Sequence, residues 1–409
     1  MTGTHIAAPF TPADRVRRIK ESPSTAAAAR VRELKAAGNR IFDFTVGQPD
    51  FDTPQHIKDA ATRAMHAGDT RYTSVNGTVE LRAAIRERME RTSGISYPDG
   101  SITVGGGAKQ VIYLAFSATL DAGDEVIIPT PYWVSYPDMV GANDGTPVVV
   151  QTKAQDRYKI TPAQLREAIT PRTRWLILNS PSNPTGVAYT QAELHALAAV
   201  LQEAPHVWVL SDEIYDDITF TDQPLLGLAA AAPSIRSRVL TVNGVSKSYA
   251  MTGWRLGYAV GVPALIGAIN LLQSQTSTCP SSISQAGAVA ALTGDQSFVA
   301  ETVRAYRQRR DRALELIADV DGLNPIEPDG AFYLFVDCEG LLGRRTPQQG
   351  AELTNDQEVT LYLLEEAGVA VIQGSAFGAE PFFRMSYATD LDTIEDGIAA
   401  IAAAVARLQ

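Results

Sequence analysis

Lys247 lies in the segment Asn243-Gly244-Val245-Ser246-Lys247-Ser248-Tyr249-Ala250-Met251-Thr252-Gly253-Trp254-Arg255-Leu256-Gly257, behind a short apolar run. A lysine that is to react with an aldehyde must offer its neutral amine. Apolar crowding and a neighbouring cation both lower its pKa toward that form. Arg255, eight positions later, presents a planar fork of donors suited to a phosphate. A lone lysine and arginine in a loop are more often solvated side chains, so this segment alone does not assign a reaction.

Other segments carry complementary chemistry. Val209-Leu210-Ser211-Asp212-Glu213-Ile214-Tyr215 ends an apolar run with an acid, where ligands of open α/β sheets bind; an acid there can equally cap a helix. Asn179-Ser180-Pro181-Ser182-Asn183-Pro184-Thr185-Gly186 reads first as a turn. Gly105-Gly106-Gly107-Ala108-Lys109-Gln110 opens a helical pattern whose first N–H groups suit a phosphate. It lacks the spacing of a Walker loop or a dinucleotide fingerprint. Pro131-Tyr132-Trp133-Val134-Ser135-Tyr136-Pro137 is aromatic-rich, and such residues are commonly core, the default for Tyr132 and Tyr136. Arg384 stands between Phe383 and Met385, a costly place for a charge without a partner.

Taken together and in this order, the segments resemble the class I aminotransferases of fold type I, from about Arg15 to the C-terminus. The resemblance implies that Lys247 carries pyridoxal 5'-phosphate. It implies that Asp212 pairs with the ring nitrogen, and that Tyr215 and Asn183 hold the ring's phenolic oxygen. Trp133 stacks on the ring. Gly107, Ala108, Lys109, Ser246 and Arg255 surround the phosphate. The "R-x-S-Y" arginine, Arg384, clamps the substrate α-carboxylate, with Asn183, Trp133 and Gly47 also at the substrate. Tyr72, in Arg71-Tyr72-Thr73, reaches the phosphate of a partner subunit, which implies a homodimer with shared active sites. No metal is called for.

Within the class, "PYWVSYP", "NSPSNPTG", "NGVSKSYAMTGWR" and "GSAFG" are most similar to the bacterial aspartate aminotransferases, some of which also use prephenate. The reaction implied is transfer of an acidic amino acid's amino group to 2-oxoglutarate by a ping-pong route, with prephenate a further candidate substrate. Lys109 and Lys20 occupy positions where relatives keep lysines that touch acidic substrates. Relatives usually have Lys-Pro-Ser where this chain has Lys20-Glu21-Ser22, which sets a carboxylate beside that lysine. Thr278-Cys279-Pro280 also departs from the small-residue run of relatives. The rivals are an aromatic or other aminotransferase, a decarboxylase, a C–S lyase or an oxidase on the same lysine. An amino-acid-sensing regulator would need a DNA-binding domain, for which there is no room, and a nicotinamide dehydrogenase would need the missing fingerprint.

These residues must be positioned by an α/β framework. Short apolar runs at Ser101–Val104, Glu125–Ile128, Pro147–Val150, Trp175–Leu178, Val207–Leu210, Val239–Val242 and Tyr258–Val260 are mostly apolar at successive positions, as in strands covered on both faces. Thr161-Pro162-Ala163-Gln164 and Thr190-Gln191-Ala192-Glu193 read as helix starts with capping boxes. The alternation predicts a large domain with a mostly parallel sheet between helices. After about residue 295 the order changes to a helix (298–317), Ala331–Val336, a helix ending near Gly368, Val369–Ile372, Phe382–Tyr387 and a last helix with Ile394, Ile398, Ile401, Val405 and Leu408 on one face. This predicts a smaller α+β domain built from both chain ends: residues 1–45, with a helix at 26–37, and 296–409, around a cofactor-binding domain at 46–295.

Bulk properties agree. The 409 residues are 45% hydrophobic and 20% charged, and 35 basic against 46 acidic residues give a net charge of −11. That disfavours nucleic acid or an anionic membrane as partner. No apolar stretch reaches about 18 residues, the N-terminus has no secretory pattern, and two cysteines make no disulfide framework. A cytoplasmic enzyme is expected.

Overall fold

A computed structural model describes residues 10–19, 23–222, 224–348 and 350–409. Lys20, and with it the Lys20-Glu21-Ser22 departure, lies outside the described residues. Among those described, seven strands form the principal sheet: β1 Ile102–Gly105, β2 Glu125–Pro129, β3 Thr146–Val150, β4 Thr173–Asn179, β5 Trp208–Asp212, β6 Val239–Gly244 and β7 Gly257–Val260. They lie in the order β1-β7-β6-β5-β4-β2-β3. Only β7 runs antiparallel to its neighbours; the remaining pairs are parallel.

β1, β6 and β7 are buried along their whole length, as expected of mostly apolar runs. The expectation fails at β3, where Val149 is 41% exposed, because β3 forms the sheet edge. The two capping boxes form as read: Thr161 and Gln164 close the helix Pro162–Ala168, and Thr190 and Glu193 the helix Gln191–Glu203. Their exchanged hydrogen bonds satisfy donors that a helix start leaves open.

The register of the central strands assembles the site. Asn179 at the end of β4 pairs with Asp212 at the end of β5, and Asp212 pairs with Val242 on β6. The carboxyl ends of three parallel strands therefore bring the Asn183, Asp212 and Lys247 segments to one edge of the sheet, where an open α/β sheet binds its ligand.

Four further strands build a second, antiparallel sheet: β8 Asn324–Ile326, β9 Tyr333–Asp337, β10 Ile372–Gln373 and β11 Phe382–Ser386, in the order β10-β11-β9-β8. The single strand expected over 369–372 divides at Val371: Val369–Ala370 pairs in parallel with Phe42–Asp43, while Ile372 and Gln373 pair with β11. Phe44 extends that stitching, donating to Ala370 O and accepting from Ser386 N–H. The helices Ser297–Ala318, Asp356–Ala367 and Leu391–Val405 pack on this sheet through Ile317, Leu363, Ile398 and Ile401. Leu408, read as part of the last apolar face, falls beyond the helix end.

Candidate active site

Lys247 lies three residues beyond the end of β6, where Gly244 closes the strand. Its Nζ donates to Gly47 O at 2.5 Å. Burial, followed by the nearby Arg384 and Arg255, lowers its amine to about 8, against the pull of Asp212. A lysine so placed holds roughly a tenth of its amine neutral at pH 7, far more than an ordinary lysine does.

The amine opens onto a cavity of about 460 Å³. Of the residues singled out in the sequence, Gly47, Ala108, Lys109, Trp133, Asn183, Asp212, Tyr215, Ser246, Lys247, Arg255 and Arg384 all border it. Gly107 stands just behind the wall. Its φ is +99°, and a Cβ there would lie 2.5 Å from Arg255 Nη2, so only glycine admits the guanidinium this close. Arg255 donates from Nη1 to Thr252 O (2.9 Å) and from Nη2 to Gly106 O (3.3 Å). With the start of the helix Ala108–Ser117, which no side chain caps, it offers a cationic end suited to a phosphate.

Asp212 is the acid at the cavity floor. Burial raises its carboxyl to about 6, opposed by a hydrogen bond from the Tyr136 hydroxyl to Oδ2 (2.6 Å) and one from the Ile214 N–H to Oδ1 (3.3 Å). Tyr136 is core, as read, but it also holds Asp212, a role that its place three residues after Trp133 did not reveal. The Trp133 ring stands edge-on to Tyr136, and Lys109 Nζ lies 4.7 Å from its centroid.

Arg384 is 3% exposed and comes from β11. Nη1 donates to Asn183 Oδ1 (3.0 Å) and Nη2 to Thr45 O (2.8 Å), while Nε has no partner. The Asn183 backbone N–H in turn donates to Asn179 Oδ1 at 2.8 Å. Among the described residues no carboxylate pairs with Arg384. A buried guanidinium held only by neutral acceptors favours binding of an anion, and its fork matches a carboxylate.

Sequence reading missed Tyr136, Asn179, Thr45 and Tyr333 as parts of this site. Asn179 and Tyr136 were within quoted motifs; Tyr333 carried no local signal. Tyr72 is 87% exposed and does not border the cavity of its own chain. The neighbouring Thr73 N–H donates to Cys279 Sγ at 3.4 Å, which ties the departure at Thr278-Cys279-Pro280 to the Tyr72 segment. No cluster of three or more metal-ligating side chains occurs among the described residues. Nor is any of their helices long and apolar enough to cross a membrane.

The chain is similar to known proteins over nearly its whole length. An aspartate aminotransferase of Rhizobium meliloti strain 1021 is 48% identical over 399 residues, 98% of this chain and 97% of the relative. An aspartate/prephenate aminotransferase of Cereibacter sphaeroides is 48% identical over 395 residues, covering 97% of this chain and 98% of its own. The crystal structure of an aspartate aminotransferase from Rhizobium meliloti superposes with a TM-score of 0.96 at 47% identity, over 98% of this chain and all of the other. That of Thermus thermophilus, solved with maleate, gives 0.89 at 38% identity over 97% and 100%. The family model for aminotransferase class I and II matches residues 39–401, and the chain belongs to that family.

Proposed function

We propose that this aminotransferase moves the amino group of L-aspartate to 2-oxoglutarate, using pyridoxal 5'-phosphate carried on Lys247. One observation carries the reading: a buried, partly neutral lysine and a buried arginine with no carboxylate partner face the same cavity, with Asp212 between strands at its floor. The donor set fits the cofactor. Arg255, Ser246, Lys109 and the backbone of Gly107 and Ala108 would hold the phosphate; Asp212 the ring nitrogen; Tyr215 and Asn183 the phenolic oxygen; Trp133 the ring face. When bound, the cofactor supplies an aldehyde that joins the amine and a ring that accepts the electron pair of a broken Cα–H bond.

The chain's own residues do the rest. Arg384 would take the donor's α-carboxylate and so orient its Cα–H bond for proton removal. The Asp212 carboxylate would face the ring nitrogen and favour its protonated form. The Lys247 amine, at the cavity wall with a lowered pKa, would serve as the base that removes the donor's Cα proton and as the acid that returns one. Gly47 O, which accepts from Lys247 Nζ, keeps that amine beside the substrate. The cycle closes in two half-reactions, the second taking a 2-oxo acid.

Aspartate is supported by the relatives that are aspartate aminotransferases and by maleate, a dicarboxylate, in the Thermus structure. Lys109, a cation on the cavity wall, and Lys20 are the candidates for the distal carboxylate. The Cereibacter relative is named for prephenate as well, which makes prephenate a second substrate to test. We further propose a cytoplasmic homodimer in which Tyr72 reaches the partner's cofactor phosphate. Residues 1–45 and 296–409 would form a smaller domain around a cofactor-binding domain at 46–295, a reading supported by the pairing of Phe42–Asp43 with Val369–Ala370.

The test is an absorbance spectrum of the protein loaded with pyridoxal 5'-phosphate, before and after L-aspartate without acceptor. Bleaching with stoichiometric oxaloacetate supports the whole reading. Bleaching only with aromatic or basic donors would keep the lysine assignment and overturn aspartate. No lysine-bound absorbance, or the same absorbance in Lys247→Ala, would overturn the cofactor assignment.

A further inference from the structure

Tyr333 opens β9 and is fully buried on the cavity wall. Across the antiparallel pair it faces Ser386, while Phe335 faces Arg384. Tyr333 and Arg384 are thus diagonal neighbours on one face of the sheet, within reach of an aromatic ring. The Arg384 guanidinium carbon lies 4.4 Å from the Tyr333 ring centroid and 5.2 Å from that of Phe377. Rings attract a guanidinium without neutralising it, so this seat leaves the charge available to a carboxylate.

The other end of the side chain meets a different part of the site. Tyr333 Oη lies 2.9 Å from Tyr215 Oη, and either can donate. A Cβ at Gly47 would come within 3.1 Å of the same hydroxyl, so the loop that accepts from Lys247 closes against it. Burial raises both phenols above their ordinary value, so both stay protonated across the physiological range.

We propose that Tyr333 is a positioning residue for transamination: its hydroxyl donates to Tyr215 and thereby aims the Tyr215 O–H at the cofactor, while its ring seats Arg384. This rests on the reading that Lys247 carries the cofactor and that Tyr215 faces the phenolic oxygen. A hydroxyl that accepts one hydrogen bond donates a stronger one. Tyr215, so polarised, stabilises the deprotonated form of the lysine-bound cofactor and holds its pH midpoint down.

The experiment compares Tyr333→Phe and Tyr333→Leu with the wild type, each loaded with pyridoxal 5'-phosphate. Tyr333→Phe keeps the ring and removes the donor. Its absorbance midpoint is expected to rise by about half a pH unit, with the KM for the amino donor within about twofold of wild type. Tyr333→Leu also removes the ring, and its donor KM is expected to rise about tenfold over that of Tyr333→Phe. An unchanged or lowered midpoint in Tyr333→Phe, or equal donor KM in the two variants, would overturn the proposal. If the leucine variant does not fold, the phenylalanine midpoint alone decides. A wild type with no titrating lysine-bound absorbance would instead sink the underlying site reading, so the two failures are distinguishable.

Discussion

The Tyr136 hydroxyl donates to Asp212 Oδ2 at 2.6 Å across 76 positions of sequence, and both side chains are buried. Burial alone would push the Asp212 carboxyl higher than about 6; this bond and the Ile214 N–H hold it down. The acid meant to face a protonated ring nitrogen is therefore tuned by a buried phenol beside it.

Tyr136→Phe removes the bond, so the Asp212 carboxyl should rise further and be ionised in a smaller fraction at any given pH. Pairing with the protonated ring nitrogen needs the ionised form. We predict that cofactor affinity of the cofactor-free protein weakens about tenfold near neutral pH. Its acid-side decline should also begin at higher pH than in wild type. Equilibrium dialysis across pH 5–8 measures both; an unshifted decline would mean that the bond does not tune Asp212.

Glu213 points away from the site and accepts from Ser211 Oγ at 2.7 Å. Burial raises its carboxyl from 4.5 to about 7. A folded value above the unfolded one contributes stability that is complete below about 4.5 and lost as pH rises through about 7. Glu213→Gln keeps the shape and removes the ionisation. It should stabilise the protein at pH 8 by up to about 3 kcal/mol and leave pH 4.5 nearly unchanged. Urea unfolding at the two pH values reads the difference, and equal midpoints for variant and wild type at pH 8 would refute it.

What was legible in the sequence was whatever chemistry and position lie in one segment. Lys247 with Arg255, the acid ending β5, and the glycine turn before the helix Ala108–Ser117 could each be placed locally at a strand end or a helix start, while the roles expected of them came from the resemblance to class I aminotransferases. The partnerships were not legible. Tyr136 with Asp212 and Tyr333 with Tyr215 join segments 76 and 118 residues apart, and only the tertiary fold brings them together, Tyr136 from a helix and Tyr333 from the second sheet. The division at Val371 escaped for a similar reason: an unbroken apolar run does not say that its two halves pair with different strands.

Gly107 tests the phosphate end of the cavity. A side chain there meets Arg255 Nη2 at 2.5 Å in a backbone conformation of φ +99°. Gly107→Ala should weaken pyridoxal 5'-phosphate binding at least about tenfold through strain and a displaced guanidinium. Pyridoxal, which lacks the phosphate, serves as the control and should bind the variant and wild type alike. Equal losses for both compounds would show that the change disturbs the whole cavity and not its anionic end.

Lys109 separates two roles that one position could fill. Its Nζ lies over the Trp133 ring, and shielding from solvent with the neighbouring Arg255 lowers its amine. If it meets the donor's distal carboxylate, Lys109→Met should raise the KM for L-aspartate about tenfold and leave a neutral donor such as L-alanine within about twofold. Cofactor affinity would then be unchanged. If it instead serves the phosphate, both donors suffer alike and the cofactor dissociates more readily on dialysis. Steady-state kinetics with the two donors, beside that dialysis, assigns the cation, because a contact to the side-chain carboxylate vanishes with the carboxylate and a contact to the phosphate does not.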